Sequence, residues 1–354
     1  MKLKRITTLL LSTMIAASLF AGCGGVNKDK TVATLNGEPV KLGIANFTVR
    51  LQQANADDFY RQLFGDTVWT SDTYGTGMTT EDSFKEDAIA SVQEMYTLQL
   101  HMEDYGVSLS DEEKDAIAKA AETFMSDNKK DAIEALGATT DIVEEYLTLT
   151  TIQNKMHDAI IADVDMNVTD EEAKTSSYSY VVISKTSEEE VQSTETAEST
   201  ETADETSDSV KTQAGEFAKA AQTDGLETAA EAYGYTVSSG TFTADDTGLD
   251  AEVLETLQKL KEGGVSGLID TESSYYVVRL DAEVDEKATE ENRKSIISER
   301  QENHYNEVLD GWKETDKWEL DEKVWASVSF DNLFTLIEES TESAVDTETA
   351  TELQ

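Results

Sequence analysis

The sequence predicts an α+β protein in which a helical domain, built from both chain ends, carries a smaller inserted α+β domain. Three observations predict this fold. A hairpin motif opens the ordered part of the chain, and helical periodicity dominates from about Ile44 to Ile161. After Ser176 apolar and polar residues alternate, as in strands, with helical stretches between them.

Composition and these patterns divide the chain into consecutive segments. We expect a leader over 1–22, a linker over 23–30, an N-terminal helical domain over 31–175, an inserted domain over 176–283, a C-terminal helix and strands over 284–335, and a tail over 336–354. The segment 284–335 is expected to complete the helical domain, so that both ends of the chain belong to one body.

The first 22 residues have the pattern of an export signal. Lys2, Lys4 and Arg5 precede the apolar run "ITTLLLSTMIAASLFA", which is too short and too rich in Ser and Thr for a good membrane span. Small residues then lead to Cys23, in a context that resembles a bacterial lipoprotein cleavage site, although Phe20 replaces the usual aliphatic residue. We therefore expect lipidation at Cys23, with plain secretion as the alternative.

Cysteine content and charge exclude several kinds of protein. A chain that begins at Cys23 has no second cysteine and so no internal disulfide. Loss of the three basic leader residues shifts the formal charge from -45 to -48. Such a surface repels nucleic acid and anionic lipid headgroups, so we expect no nucleic-acid partner and a membrane attachment through acyl chains alone.

Two acidic segments are too polar to form a core. Residues 187–210 carry nine acidic side chains and no basic one, and the tail 336–354 is similar. Burial in such segments does not offset the entropy of ordering, so both are predicted to be disordered. Unspaced acids in a flexible loop lack fixed geometry, so no metal site is expected there.

Local signals support the helical domain. Asn36-Gly37 is a strong hairpin signal, and Ser110-x-x-Glu113 and Thr169-x-x-Glu172 are capping boxes that mark helix starts. Apolar residues at helical spacing define two buried faces, Ile117, Ala120, Ala121 and Phe124 on one helix and Ile142, Tyr146, Leu149, Ile152 and Met156 on another. The segment 318–330 is expected to close the chain with two short strands about a turn at 320–322.

Together these pieces resemble the extracytoplasmic foldase lipoproteins of Gram-positive bacteria, relatives of the periplasmic survival chaperone. The motifs that carry the resemblance are "VATLNGEPVKL", "YGVSLSDEEKDAI", "MNVTDEEAK" and "LKEGGVSGLIDTESSYYVVRLD". The resemblance implies a parvulin-type peptidyl-prolyl isomerase domain inserted into a chaperone domain. It also implies unfolded or nascent secreted polypeptides as partners, and a lipid-anchored location on the extracytoplasmic face of the cell membrane.

The resemblance also implies where a proline site would lie. Tyr180 and Tyr276 stand where the family usually has its two pocket histidines, and Thr271 matches a pocket threonine. Leu249, Val253 and Gln258 stand where a methionine and two phenylalanines usually line the site. With both histidines and the aromatic floor replaced, we expect weak or absent catalysis. A purely structural role for the two tyrosines is the competing interpretation.

Other chemistries find little support in the sequence. His101, His157 and His304 lie outside the inserted domain with no spacing typical of a triad or a metal site, and no cofactor is expected. A solute-binding lipoprotein, which would show repeated βα units, and a non-catalytic surface scaffold are the alternative functions. No pattern specifies a monomer or an oligomer.

Overall fold

The computed structural model describes residues 14–18, 26–185 and 202–337, and its architecture is α+β, as predicted. The described chain divides into two compact units. Unit 1 contains the residues up to Asp163 and from Asn303 onward, and unit 2 contains Val164–Glu302. The inserted unit therefore also includes short stretches on either side of the 176–283 range predicted from the sequence.

Helices predominate along the chain, with short strands between them. The chain begins with β1 (Met14–Ser18), β2 (Thr31–Leu35), β3 (Glu38–Lys41), α1 (Leu42–Phe64), α2 (Thr80–Leu100), α3 (Asp111–Asp127), α4 (Lys130–Leu136) and α5 (Thr140–Ile160). Next come α6 (Asp170–Ala173), β4 (Ser176–Ser184), α7 (Thr202–Asp224), α8 (Leu226–Tyr233), β5 (Ser238–Phe242), α9 (Ala251–Leu257), β6 (Ile269–Asp270) and β7 (Ser274–Ala282). The last are α10 (Glu286–Thr315), β8 (Trp318–Leu320), α11 (Glu322–Trp325) and β9 (Leu333–Ile337).

The two ends of the chain meet in one small sheet of unit 1. Strand β2 lies between β3 and β8, with Ala33 opposite Leu320 and Leu35 opposite Trp318. Asn36 and Gly37 both have positive φ, 52° and 88°, as a tight hairpin turn requires. The early hairpin and the late segment therefore build a common structure, as the sequence predicted.

The helices of unit 1 begin and pack as their sequence signals indicate. At the start of α3 the Glu113 N–H donates to Ser110 Oγ at 3.2 Å, and the Ser110 N–H donates to Glu113 Oε2 at 2.8 Å. The buried residues of α3 are the four of the predicted apolar face. Their burial against α1 and α5 stabilises unit 1 because the apolar area leaves water.

Buried polar side chains of α1 hold the C-terminal segment of unit 1. The guanidinium of Arg50, 2% exposed, donates to the carbonyl of Ser329 at 2.9 Å and lies over the ring of Phe334 at 5.0 Å. Burial lowers the pKa of Arg50 to about 10. Gln53 Nε2 donates to the carbonyl of Asn332 at 3.0 Å. These long-range contacts fix the path of the chain into β9.

Unit 2 is built on a four-stranded antiparallel sheet of order β5-β4-β7-β6. Helices α7 and α8 pack on one face of this sheet, and α9 packs on the other. Arg293 and Arg300 of α10 join the segment before the sheet, through Asp170 at 2.8 Å and Glu172 at 2.5 Å. These ion pairs explain why the unit begins before residue 176 and ends beyond 283.

Two predictions about segment structure need correction. The acidic stretch 187–210 is helical from Thr202, and Val210 at its end continues the apolar spacing of Ala214 and Phe217. Residues 187–201 lie outside the described residues. Residues 322–325 form α11 and not a strand, because Asp321 Oδ1 accepts the N–H groups of Lys323 and Val324 at 3.1 Å each.

The predicted end segments also differ from expectation where the structure describes them. Met14–Ser18 of the expected leader form strand β1, which pairs with β9. In the expected linker, the carbonyls of Lys28 and Lys30 accept the first N–H groups of α1. The expected tail contributes Leu336 and Ile337 to β9, and its remainder, like Cys23, lies outside the described residues. Among the helices described, none has the length and apolar character to cross a bilayer.

Candidate proline-binding surface

The two central strands of unit 2 place Tyr180 and Tyr276 on the same face of the sheet. In the antiparallel β4–β7 pair, Tyr180 lies opposite Val278 and Tyr276 opposite Val182. Because side chains alternate between the faces of a strand, Tyr180 and Tyr276 project to one side as diagonal neighbours. Their ring centroids are 6.2 Å apart with an angle of 39° between the ring planes.

An apolar cluster lies beneath the two rings. The buried members of this cluster are Tyr178, Phe242, Val253, Leu257, Ile269, Val278 and Leu280. Tyr180, Tyr276, Leu249, Leu254 and Leu260 are partly buried against it. The side chain of Val182, 47% exposed, continues the apolar surface beside Tyr276. We call the five partly buried residues together with Val182 the tyrosine surface.

The structure brings two of the three predicted lining residues into the cluster or the surface above it. Leu249 is partly buried in the cluster and Val253 is buried. Gln258 is exposed, and its Nε2 donates to the carbonyl of Ala244 at 2.7 Å, so the structure does not bring it into the cluster. Its neighbour Leu257 is buried instead, since Val253 and Leu257 are four residues apart on the helix face that meets the sheet. Helical spacing from Val253 identifies Leu257, whereas the family resemblance pointed to Gln258.

Thr271 lies at the turn between β6 and β7, below the surface. It is 4% exposed, and both its hydroxyl and its backbone N–H donate to the carbonyl of Ser274 at 3.0 Å. That carbonyl belongs to the strand that carries Tyr276. The hydroxyl is thus already engaged, and its contacts suit a role in positioning β7.

The phenols of Tyr276, on the surface, and of Tyr178, beneath it, stay protonated at ordinary pH. Burial raises the pKa of Tyr276, and the nearby Asp250 and Tyr180 raise it further. Burial also raises the pKa of Tyr178. Within the described part of the chain, the hydroxyls of Tyr180 and Tyr276 make no hydrogen bond to protein, so they can donate to a bound carbonyl.

Gly240 positions the ring of Tyr178, which lies beside the ring of Tyr180. It lies opposite Tyr178 in the β4–β5 pair, and a Cβ at residue 240 would lie 2.8 Å from the Tyr178 ring. Only a glycine lets that ring lie across β5. Tyr178 in turn stacks on Tyr180 at 5.4 Å between ring centroids, so Gly240 helps to fix the ring of Tyr180.

The opposite face of the sheet carries a polar network that sequence reasoning missed. Arg279 donates to Glu227 at 2.6 Å and to Asp281 at 2.5 Å, and Ser179 Oγ donates to Asp281 at 2.6 Å. The hydrogen bond from Arg279 lowers the pKa of Glu227. These side chains pair with one another and tie α8 to β7, which makes the network structural. Across the described ranges, no group of three or more His, Cys, Asp or Glu side chains could hold a metal ion.

Comparison with known proteins identifies a domain family within unit 2. Residues 183–293 match the family model of the PPIC-type PPIASE domain, which covers most of unit 2. The chain therefore contains a parvulin-type domain, and the predicted resemblance is confirmed over these residues. A search of curated proteins finds no match to the chain.

Several solved structures show a distant similarity over much of the chain. The foldase protein PrsA of Lactococcus lactis is 14% identical, with 84% of this chain and 97% of that chain covered and a TM-score of 0.34. The peptidylprolyl isomerase PrsA of Bacillus cereus is 19% identical, with 66% and 85% covered and a TM-score of 0.32. A structure described as one of two SurA-like chaperones of Campylobacter jejuni is 11% identical, with 82% and 98% covered and a TM-score of 0.27.

Proposed function

We propose that this protein is a membrane-anchored extracytoplasmic foldase that binds unfolded secreted polypeptides. On this proposal the tyrosine surface binds proline-containing segments and isomerises them weakly or not at all. The observation that carries the proposal is the pairing of Tyr180 and Tyr276 over an apolar cluster. Tyr276, Val253 and Leu257 lie within the segment 183–293 that matches the PPIC-type domain, and Tyr180 lies just before it. A proline ring is apolar and its flanking amide is polar, which is the combination that this surface offers.

The chemistry of prolyl isomerisation needs neither a nucleophile nor a metal. The barrier to rotation about a peptide bond is about 20 kcal/mol, and an enzyme lowers it by binding the twisted amide better than the planar one. The phenol hydroxyls of Tyr180 and Tyr276 can donate to the carbonyl before the proline. Val253 and Leu257 offer an aliphatic floor, so the proline ring loses the aromatic contact that would hold it firmly. Because the proline ring is bound weakly, we expect weak catalysis.

A protease-coupled isomerisation assay on the purified chain tests the catalytic part. The expected rate constant is far below that of an intact parvulin measured alongside. If residual catalysis resides at this surface, Tyr180→Phe and Tyr276→Phe lower it further, while Tyr233→Phe, on the other side of the sheet, leaves it unchanged. A rate comparable with the intact enzyme would show that "weak" is wrong, and activity insensitive to both surface variants would place catalysis elsewhere.

Exposed apolar side chains of unit 1 support the chaperone part. At the end of α1 and in the loop that follows, Phe59 is 61% exposed, Leu63 58% and Tyr74 58%. Clustered apolar exposure of this kind is typical of a surface that binds apolar partners. Changing Phe59 and Leu63 to serine should weaken suppression of aggregation of a reduced client protein. Changing Leu100, 47% exposed at the end of α2, to serine is the matched control and should have little effect.

Attachment through Cys23 is a separate part of the proposal. Mass spectrometry of the protein from a membrane fraction should show a chain that begins at Cys23 and carries acyl groups. Cys23→Ser should release the protein from the membrane. If the Cys23→Ser variant stays bound to the membrane, the proposed lipid anchor is refuted, and the isomerase and chaperone parts are unaffected.

A further inference from the structure

A segment of the expected leader occupies a strand position in unit 1. Met14–Ser18 pair with Leu333–Ile337 in antiparallel register, from Met14 opposite Ile337 to Ser18 opposite Leu333. These two strands form a sheet of their own. Backbone pairing of this kind supplies binding energy that depends little on the sequence of the added strand.

One residue of β1 anchors it in the core of unit 1. Ile15 is fully buried, within the cluster that contains Phe47, Phe124 and Phe334. Its backbone N–H donates to the side-chain oxygen of Asn128 at 2.8 Å. Asn128 is itself held by a hydrogen bond from its Nδ2 to the carbonyl of Phe124 at 2.9 Å. Its oxygen is therefore fixed in place to receive the N–H of an incoming strand.

Removal of the leader would leave a groove with three complementary features. The edge of β9 would lose its strand partner, the pocket of Ile15 would be empty, and the oxygen of Asn128, a residue only 8% exposed, would have no N–H donor. The apolar surface that Ile15 covers would then be exposed to water, which is unfavourable, so the groove favours a replacement strand.

We propose that this groove binds extended apolar segments of client polypeptides by strand addition to β9. The residue that donates its N–H to Asn128 is a branched aliphatic one, as Ile15 is. This inference rests on the proposed function, in which cleavage before Cys23 removes β1. In the uncleaved chain the leader fills the groove, so client binding at β9 is blocked until the leader is removed.

Peptide binding to the full chain tests the proposal. The probe is a fluorescent peptide with the sequence STMIAASLF of residues 12–20 and added lysines for solubility, followed by anisotropy. The full-length Ile15→Asp variant should bind it at least about tenfold more tightly than the full-length wild type, because a buried unpaired carboxylate disfavours β1 in the groove. A peptide with the same Ile15→Asp change is the matched control and should not bind.

A second variant links binding to the groove itself. Asn128→Leu, added to Ile15→Asp, should abolish the increase in peptide affinity that Ile15→Asp causes. Asn128→Asp keeps an acceptor oxygen, so in the same background it should retain part of that increase. Circular dichroism shows whether each variant is folded. Equal binding by wild type and Ile15→Asp, or binding that survives Asn128→Leu in a folded protein, would overturn the proposal. Dimerisation of the wild-type chain through exchanged β1 strands would also overturn it.

The probe contains no proline, so this test is independent of the tyrosine surface. If the chain does not bind the peptide but still suppresses aggregation, only the proposal of client binding at the groove is refuted. If the chain binds the peptide but neither isomerises proline nor suppresses aggregation, the groove proposal is supported and the proposed foldase function is refuted.

Discussion

Replacing Asp57 perturbs the contact that joins the first long helix to the C-terminal strand. Asp57 on α1 is completely buried, and its Oδ1 accepts from Arg61 Nε and from Trp69 Nε1, each at 2.9 Å. Its Oδ2 accepts the backbone N–H of Phe334 on β9. One carboxylate thus connects α1, the loop that follows it and the last strand.

The structure gives the size of the expected effect. Asp57→Ala leaves the N–H groups of Trp69 and Phe334 buried without acceptors, and each such group costs about 1–3 kcal/mol. Arg61 keeps Asp58 and Asp66 as partners, and its side chain is 22% exposed. Loss of the ion pair between Arg61 and Asp57 therefore adds little to the destabilisation. The free energy of unfolding of unit 1 should therefore fall by about 2–6 kcal/mol, the sum over the two groups.

Asp66→Ala is the matched control for this prediction. It removes the same charge from the same arginine, but its carboxylate is 83% exposed and lies 3.6 Å from Arg61 Nη1. Exposed pairs contribute at most about 1 kcal/mol. The control separates the effect of burial from the effect of charge.

Urea unfolding followed by tryptophan fluorescence provides the measurement. All four tryptophans, at positions 69, 312, 318 and 325, lie in unit 1, so the signal reports that unit alone. A loss for Asp57→Ala below about 1 kcal/mol, or equal to that of the control, would contradict the reasoning, since two unsatisfied buried N–H groups cost more than that.

Two further predictions concern the tyrosine surface. Gly240→Ala should displace the ring of Tyr178 and destabilise unit 2 by about 1–3 kcal/mol, seen in near-ultraviolet circular dichroism, while Gly267→Ala, with no atom within 4 Å of the added Cβ, should be close to neutral. Any isomerase activity should be constant between about pH 5.5 and 8.5, because burial keeps the pKa of Tyr276 above its usual value and its phenol protonated throughout. A midpoint near about pH 6.5 would instead indicate a histidine in the site.

Local chemistry made several elements predictable from the sequence. Asn36-Gly37 can adopt the positive φ of a hairpin turn, and both capping boxes form as their spacing requires. Strands β4 and β7 follow from β-branched and aromatic residues at alternating positions. These features depend on residues close in sequence.

Features that depend on distant residues were not predictable. From Val210 onward α7 packs in an apolar cluster against β4 and β7, which the acidic composition of 187–210 does not reveal. The contacts of Arg50 and Asp57 join residues about 280 positions apart. Gln258 was assigned from the family resemblance, whereas the helix turns Leu257 toward the sheet. None of these could be inferred from local propensity.

The most direct test of the central claim is whether the tyrosine surface binds proline. Tyrosine rings labelled with ¹³C can be followed by NMR during titration with a short proline-containing peptide, with Tyr180→Phe and Tyr276→Phe used to assign the two signals. We predict that the signals of Tyr180 and Tyr276 shift with this peptide and not with one that has alanine in place of proline. Shifts of equal size with both peptides, or none at these two rings, would contradict the account.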